Sequence, residues 1–261
     1  MSDGLVPQPE ASLDPHAEAQ PDFLLNGRVR LLQPDGGYRA AIDPVFLAAI
    51  TAATDGERVL DVGTGTGAAA LCLAVRVPGA AVVGLEQRAD ACAFARRNAV
   101  LSGVAERVEV VQGDLLAPPD CLPAGGFDRV MMNPPYLKAG AASRPPDDWK
   151  AAANMEGAAR LPDWIRCADA MLKPRGTLTM VHRADRIDDI LQALRGRFGS
   201  LVLVPLWPKP GVEAKRLLLV ARKGGRAPAR LTAGLIVHKA EGGYSPAAER
   251  VLRDAEALLF P

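Results

Sequence analysis

The sequence has few aromatic side chains, which make up only 5% of its 261 residues. Because 49% of the residues are apolar, a core has to be built mostly from alanine, valine and leucine. Long apolar runs are also missing. Stretches such as 217–221 have the length of a strand and fall far short of the roughly 20 residues that a membrane helix needs. The composition therefore predicts one globular domain with tails and no membrane partner.

Cysteine, histidine and an excess of charge of one sign are lacking as well. Four cysteines stand singly, at Cys72, Cys92, Cys121 and Cys167, and three histidines show no ligand spacing. Neither disulfides nor a metal site is expected, which fits a reducing compartment. No export signal is present at the N-terminus, so a cytoplasmic location is predicted. The formal net charge of +1 gives no general argument for nucleic acid binding.

The chain divides into three parts by composition. Residues 1–21 are rich in Pro, Gln and acidic residues without periodicity, and a disordered leader is expected there. Residues 22–222 are expected to form the main domain, which opens with a hairpin around Asn26-Gly27. Residues 223–261 are expected to form a basic linker and a C-terminal extension with a strand and a helix.

Strand and helix patterns alternate through the main domain. Strands are predicted at 58–62, 81–85, 108–112, 127–132, 177–181, 201–206 and 216–221, and helices at 44–53, 66–77, 89–101, 162–172 and 185–197, the last capped by Asp185. The pattern predicts an α/β fold with a Rossmann-like, doubly wound, mostly parallel seven-stranded sheet. No helix fits between the last two strands, so the last strand is expected to be antiparallel.

A glycine-rich loop follows the first of these strands and opens a helix. Asp61 lies near the end of this strand, which Val62 closes, and Gly63, Gly65 and Gly67 follow. Glycines at this position permit a tight turn and close approach of the backbone to a bound nucleotide. Two acidic residues follow the next two strands and could accept hydrogen bonds from a ribose and an adenine, namely Glu86 and Asp114. The loop and Glu86 would serve NAD equally well, so this pattern alone does not choose the cofactor.

The fourth strand of the series runs directly into Asn133, Pro134, Pro135 and Tyr136. The side-chain oxygen of Asn133 and the backbone C=O of Pro134 can each accept a hydrogen bond from one N–H of an amino group whose lone pair is delocalised. That arrangement aims the lone pair at a methyl donor, and the prolines hold the acceptors rigidly. Tyr136 can stack on a planar substrate. The motif predicts direct transfer of a methyl group to nitrogen, with Asn133, Pro134 and Tyr136 as the catalytic set.

Taken together, the glycine loop, Glu86, Asp114 and the motif 133–136 resemble the motif series of class I adenosylmethionine-dependent amino methyltransferases over residues 55–222. The resemblance implies S-adenosyl-L-methionine as cofactor. Within that group the chain is most similar to the bacterial valine-tRNA adenine-N6 methyltransferases. The similarity lies in residues 33–39, 42–45 and 182–186.

This narrower resemblance implies that tRNA is the substrate. It further implies that the segment before the glycine loop closes over the cofactor, with Arg39 and Asp43 near its amino-acid end. The chain departs from the family pattern at 150–156. Members of the family typically have an Arg-rich stretch that contains a His-Glu pair there, whereas this chain has Lys-Ala-Ala-Ala-Asn-Met-Glu.

A local basic stretch adds support for an RNA substrate. Between residues 205 and 230, seven Lys or Arg residues accompany one Glu, with Trp207 alongside. A basic surface with an aromatic side chain suits an RNA backbone, and Lys209, Lys215, Arg216 and Trp207 are the predicted substrate-binding residues.

Three other interpretations remain open from the residues. A protein glutamine-N5 methyltransferase poses the same nitrogen problem, but such enzymes carry a sizeable helical domain before the glycine loop, where this chain is short. An NAD-linked oxidoreductase would explain the glycines and leave the motif 133–136 without a role. A non-catalytic RNA-binding protein would have no use for Asn133 and Tyr136. The oligomeric state stays open.

Overall fold

The computed structural model describes residues 20–34, 42–136 and 158–259. Most of the expected leader, Arg39 and the divergent stretch 150–156 lie outside these ranges. None of the helices in the described ranges is both long and apolar enough to cross a bilayer.

The described elements are eleven strands and six α-helices. The strands are β1 (Asp22–Leu24), β2 (Val29–Leu31), β3 (Arg58–Val62), β4 (Ala81–Glu86), β5 (Val108–Gln112), β6 (Phe127–Met132), β7 (Leu172–Arg183), β8 (Phe198–Trp207), β9 (Arg216–Lys223), β10 (Arg230–Leu231) and β11 (Leu235–Ile236). The helices are α1 (Asp43–Ile50), α2 (Ala68–Arg76), α3 (Ala89–Leu101), α4 (Leu161–Met171), α5 (Ile187–Leu194) and α6 (Pro246–Asp254).

The predicted seven-stranded sheet is confirmed. Its strands lie in the order β5-β4-β3-β6-β7-β9-β8, and β9 runs antiparallel to both of its neighbours. The remaining pairs within this order are parallel. Two short strands that the sequence does not reveal, β10 and β11, extend the sheet by pairing in parallel with β8. The predicted hairpin at the start of the chain is confirmed as the antiparallel pair of β1 and β2.

Apolar side chains on the two faces of the sheet form two separate layers. One contains α1, α2 and α6, and the other contains α4 and α5. Strand β3 shows the underlying alternation, because Val59 joins the first layer while Leu60 and Val62 join the second. Burial on both faces is what a doubly wound sheet requires. It leaves the strand ends as the place for a ligand.

One predicted helix start is wrong. Asp185 was expected to cap a helix, but it lies within a short 3₁₀ turn, Ala184–Arg186, and α5 begins at Ile187. The Arg183 Nε donates a hydrogen bond to the Asp185 carboxylate at 2.9 Å. A carboxylate engaged by a neighbouring arginine is not available to the first N–H groups of the helix. The preceding strand is also longer than predicted, because β7 already starts at Leu172.

Candidate active site

The carboxyl ends of the parallel strands β3, β4, β5 and β6 meet at one edge of the sheet, and a cavity of about 450 Å³ lies there. Its lining includes the glycine loop, Glu86, Asp114 and the Asn133–Tyr136 motif. The structure therefore brings these predicted residues to one place. This is the position at which open α/β sheets bind ligands.

All three predicted loop glycines have backbone conformations that other residues rarely adopt, with φ of +67° at Gly63, +58° at Gly65 and +92° at Gly67. At Gly63 there is a second restriction. A Cβ atom would lie 2.3 Å from Cη2 of Trp164, which belongs to α4 and lines the cavity. Gly67 is the N-cap of α2. The loop thus presents its backbone to the cavity, and the Trp164 ring packs directly against Gly63.

Asp61 is buried, 2% exposed, at the end of β3. Burial raises the pKa of its carboxyl group to about 7, and the charge of Glu86 acts in the same direction. The Thr64 hydroxyl donates to Asp61 Oδ2 at 2.7 Å and acts against this shift. A carboxyl group held in this way fixes the glycine loop and remains a titratable group on the cavity wall.

Glu86, the last residue of β4, and Asp114, two residues after β5, both line the cavity. The Glu86 carboxylate accepts from the backbone N–H groups of Gly65 and Arg88, each at 3.0 Å. Asp114 accepts from Gln87 Nε2 at 3.1 Å and from the Leu116 N–H at 2.9 Å. These bonds orient both carboxylates, and each oxygen retains capacity for a further donor.

Asn133 stands directly after β6 and lines the cavity. Its side-chain oxygen is buried and has no hydrogen-bond partner within the described ranges. A buried acceptor without a partner costs on the order of 1–3 kcal/mol. Such groups are rare in folded proteins and call for an explanation. An amino group bound in the cavity would supply the missing donor.

Tyr136 is only 7% exposed and is held by several contacts. Its hydroxyl donates to Asp43 Oδ2 at 2.7 Å, and Arg216 Nε donates to the same oxygen at 2.9 Å. The Arg216 guanidinium lies over the tyrosine ring, with Cζ 4.5 Å from the centroid. Asp43 and Arg216, predicted for the cofactor and for RNA, therefore meet at the catalytic motif.

His182, at the end of β7, packs its ring edge against Tyr136 with 5.4 Å between centroids. It is 1% exposed, and neither ring nitrogen meets hydrogen-bond geometry to a described residue. Burial lowers the pKa of His182 to about 4, and the charge of Arg186 lowers it further. Backbone groups of Arg183 and Pro135 oppose that shift weakly. The imidazole is neutral at physiological pH.

The predicted basic surface is divided between two edges of the sheet. Lys209 and Lys215 lie in the connection between β8 and β9, at the edge that carries the cavity. Arg222 sits near the far end of β9, paired with Gly199, while Arg216 is paired with Leu206 near the start of the strand. At about 3.4 Å per residue, roughly 20 Å separate the two arginines. The seven basic residues consequently do not form one patch.

Trp207 ends β8 beside this connection. Its Nε1 donates to the Ala233 C=O at 2.9 Å, which fixes the indole between the β8–β9 connection and β11. An open groove of about 480 Å³ runs there, lined by Trp207, Lys209, Val212 and Ile236 among others. The predicted residues Trp207 and Lys209 thus share one surface, whereas Arg216 belongs to the cavity.

Trp164 and Thr64 are contributors that sequence reasoning missed. Thr64 falls inside the glycine loop, where the glycines were the only residues considered. Trp164 lies 100 residues away on α4, and nothing in the helical pattern distinguishes it from a core residue. No group of three or more His, Cys, Asp or Glu side chains suited to a metal occurs in the part of the chain that the structure describes.

The cavity combines groups that can bind polar ligand atoms. The glycine loop brings its backbone to the cavity, and Glu86 and Asp114 offer oriented acceptors for hydroxyl and amino groups. Asn133 adds a buried side-chain oxygen that has no donor among the described residues. The site can therefore accept several hydrogen bonds from a bound ligand.

Comparison with known proteins gives a consistent set of matches. The family model described as the methyltransferase small domain matches residues 43–204. A tRNA1(Val) (adenine(37)-N6)-methyltransferase from Porphyromonas gingivalis is 36% identical over 73% of this chain and 76% of its own length. A release factor glutamine methyltransferase from Chlorobaculum tepidum is 46% identical, but over only 32% of this chain and 29% of its own. Among solved structures, a predicted O-methyltransferase from Agrobacterium tumefaciens has a TM-score of 0.70 and 29% identity, covering 83% of this chain and 98% of its own.

Proposed function

The chain belongs to the methyltransferase small domain family and is an S-adenosylmethionine-dependent methyltransferase, and we propose that it methylates the exocyclic amino group of adenine in tRNA. The observation that carries the proposal is the buried side-chain oxygen of Asn133, which has no donor among the described residues and belongs to a residue that lines the cavity. The substrate class follows the relatives that bear the name tRNA1(Val) (adenine(37)-N6)-methyltransferase. Adenine 37 of a valine tRNA is the first acceptor to test.

Asn133 and Pro134 perform the central task of the reaction. The amino nitrogen of adenine is a poor nucleophile because its lone pair is delocalised into the ring. Hydrogen bonds from its two N–H groups to the Asn133 oxygen and the Pro134 C=O draw the nitrogen toward tetrahedral geometry. S-adenosylmethionine, when bound, supplies a methyl group that is activated by its positively charged sulfur. No strong base is needed, because the nitrogen becomes acidic only as the new bond forms.

We assign the cofactor to the cavity wall formed by the glycine loop. Gly63, Gly65 and Gly67 leave room for close approach, Glu86 is suited to the ribose hydroxyls, and Asp114 to the adenine amino group. Asp61 holds the loop. Arg39 remains a candidate for the amino-acid end through the family resemblance. For Asp43, the contacts with Tyr136 and Arg216 favour a role beside the catalytic motif.

We assign tRNA to the cavity edge near the β8–β9 connection. Lys209 and Lys215 supply positive charge, and Trp207 borders an open groove at the same edge. RNA outside the target base would be held by phosphate contacts and stacking there. A tRNA substrate supports a cytoplasmic location for the enzyme.

The decisive experiment measures transfer of labelled methyl from S-adenosylmethionine to bulk tRNA, with cell protein as a competing acceptor, followed by nucleoside analysis. The expected product is N6-methyladenosine. Label found only in protein glutamine would establish the alternative suggested by the release factor relative, whose match covers a short segment.

Asn133→Ala separates catalysis from binding in the same assay. We expect turnover to fall by at least about a hundredfold, because a positioned acceptor is lost, while S-adenosylmethionine still binds in calorimetry. Asn26→Gly, an exposed position with positive φ in the first hairpin, is the matched control and should keep full activity. Full turnover by Asn133→Ala would rule out the proposed mechanism.

A further inference from the structure

We propose that Asp43, Tyr136 and Arg216 form a positioning unit that fixes the catalytic motif, and that Arg216 acts there rather than on RNA. The inference rests on the proposed function, because the motif that the unit would fix is the one assigned to hold the adenine. It gives Arg216 a role that neither its charge nor its place in a basic stretch predicts.

The three side chains come from three separate elements. Asp43 is the first residue of α1, Tyr136 follows β6, and Arg216 is the first residue of β9. Asp43 and Arg216 are 173 residues apart in the chain, yet the Arg216 Nε and the Tyr136 hydroxyl both donate to the same carboxylate oxygen, Asp43 Oδ2. One oxygen thereby joins the catalytic motif to helix α1 and to strand β9 of the sheet.

Arg216 also contacts the tyrosine ring itself, with Cζ 4.5 Å from the centroid. One face of the ring is therefore occupied by the guanidinium. His182 packs against the same ring with 5.4 Å between centroids, so the ring is held from more than one side. At the other end of the residue, the backbone C=O of Tyr136 accepts from Arg186 at 3.4 Å. The ring and the backbone are each held by an arginine.

Burial separates this contact from an ordinary surface ion pair. The Asp43 side chain is 10% exposed and that of Arg216 is 34% exposed, so solvent screens the pair only in part. A lysine would restore the charge near Asp43 but could not place a flat guanidinium over the ring. The geometry thus requires arginine specifically, whereas a phosphate contact would accept lysine more readily.

The experiment compares Arg216→Leu, Arg216→Lys and Asp43→Asn with the wild type. It measures kcat and KM for tRNA, and S-adenosylmethionine affinity by calorimetry. We expect kcat to fall about tenfold to a hundredfold in Arg216→Leu, since small misplacements of reacting groups have effects of that size. KM for tRNA and S-adenosylmethionine affinity should stay within about twofold of wild type. Arg216→Lys should recover little of the loss. Because the residues act as one unit, Asp43→Asn combined with Arg216→Leu should cost no more than the worse single variant.

Arg222→Leu is the matched control, because Arg222 lies on the same strand, is exposed and points to the opposite edge of the sheet. It should leave kcat unchanged. A rise in KM for tRNA with unchanged kcat in Arg216→Leu would overturn the proposal and make Arg216 an RNA contact. Full rescue by Arg216→Lys would likewise overturn it.

An activity-independent readout keeps this test apart from the proposed function. The chain has three tyrosines, so ring signals in a ¹³C-tyrosine NMR spectrum can be assigned to Tyr136 with Tyr136→Phe. Arg216→Leu and Asp43→Asn should both shift the Tyr136 ring signal, and Arg222→Leu should not. If the wild type fails to methylate tRNA, the proposed function fails while this signal still tests the unit. An unchanged ring signal in both variants would overturn the unit. Arg216→Gln replaces Arg216→Leu if the latter does not fold.

Discussion

Burial shifts the pKa of two ionisable side chains beside the cavity toward their neutral forms. Burial raises the pKa of Asp61 to about 7 and lowers the pKa of His182 to about 4. Both are nearly inaccessible to solvent, and each has a neighbouring charge of the same sign as its own ionised form, namely Glu86 for Asp61 and Arg186 for His182. Ionisation of either side chain would therefore add a charge next to one of the same sign.

Asp61→Asn is expected to stabilise the free enzyme above neutral pH. Below an ordinary aspartate pKa of about 4, the carboxyl is protonated in folded and unfolded chains alike, and its contribution is fully present. As pH rises from about 4 to about 7, only the unfolded chain ionises, so stability falls by about 1.4 kcal/mol per pH unit from this group. Urea unfolding at several pH values should show that the free energy of unfolding of the variant increases relative to that of the wild type as pH rises over that range. A constant difference across the range would contradict the raised pKa.

Gly63→Ala is expected to weaken S-adenosylmethionine binding by at least about tenfold. The new Cβ would lie 2.3 Å from Trp164 Cη2 in a backbone conformation that already disfavours alanine. Either the loop or Trp164 has to move, and both line the cavity. Gly56→Ala is a matched control, because Gly56 has φ of +81° with no atom within 4 Å of its Cβ position. If the S-adenosylmethionine affinity measured by calorimetry fell equally in Gly63→Ala and Gly56→Ala, backbone strain and not the contact with Trp164 would explain the loss.

At the scale of elements, one buried asparagine attaches the N-terminal hairpin to the main domain. Asn98 on α3 is 0% exposed. Its Oδ1 accepts from the Leu32 N–H at 2.8 Å, and its Nδ2 donates to the Leu32 C=O at 3.0 Å and to the Thr66 C=O at 2.9 Å. The same side chain thus joins the segment after β2, the glycine loop and α3. The hairpin is coupled to the cofactor site through it.

Asn98→Ala is expected to lower the free energy of unfolding by about 2–4 kcal/mol, because two buried backbone groups of Leu32 and the partly buried C=O of Thr66 lose their partner. S-adenosylmethionine affinity should fall as well, since Thr66 belongs to the cavity lining. Asn98→Asp keeps the acceptor for the Leu32 N–H and loses the two donated hydrogen bonds, so its free energy of unfolding should also fall markedly. Chemical unfolding and calorimetry provide the two measurements. Loss of stability without any loss of affinity would show that the hairpin and the site are independent.

The elements that the sequence predicts correctly are those with strong local patterns. The seven strands of the sheet are apolar runs bounded by turn residues, and all seven occur at or near the predicted positions. Strands β10 and β11 have two residues each, which is too short for any periodicity. Asp185 had the residue type and position of a helix cap, but the pairing with Arg183 takes its carboxylate. Propensity gave way to a side-chain contact there.

At the scale of the whole molecule, the C-terminal extension is part of the core. Helix α6 buries Ala248, Val251 and Leu252 in the layer that also contains α1 and α2. Beyond the helix, the Leu258 N–H donates to the Ala49 C=O at 2.9 Å at the end of α1. The extension therefore supports the helix whose first residue is Asp43.

Val251→Asp is expected to lower the free energy of unfolding by about 3–5 kcal/mol, because a carboxylate would be buried without a partner. Thermal unfolding should show a clear drop in Tm. Arg250→Ala is the control on the same helix, because the Arg250 side chain is 54% exposed and pairs with Glu256 at 2.9 Å at the surface. Its Tm should change by no more than a degree or two. A small effect of Val251→Asp would show that α6 is dispensable for the fold.

The site illustrates which long-range features escape sequence reasoning. The glycine loop, Glu86, Asp114 and the motif 133–136 could be predicted because each stands at the carboxyl end of a predicted parallel strand. The partnership of Asp43 with Arg216 could not, since no local pattern connects residues so far apart in the chain. Trp164 escaped for the same reason. Its helix reveals an apolar face but not which glycine that face touches.

The two short strands at the end of the sheet have a further consequence, for self-association. Strand β8 spans ten residues and would present a row of unpaired backbone groups if β10 and β11 were absent. Open edges of that length are sites where a second chain adds by main-chain hydrogen bonding. Residues 230–236 occupy the edge in place of such a chain. Variants in which residues 230–236 no longer pair with β8, while helix α6 is kept, are therefore expected to aggregate from this edge even where the methyl-transfer site itself is intact.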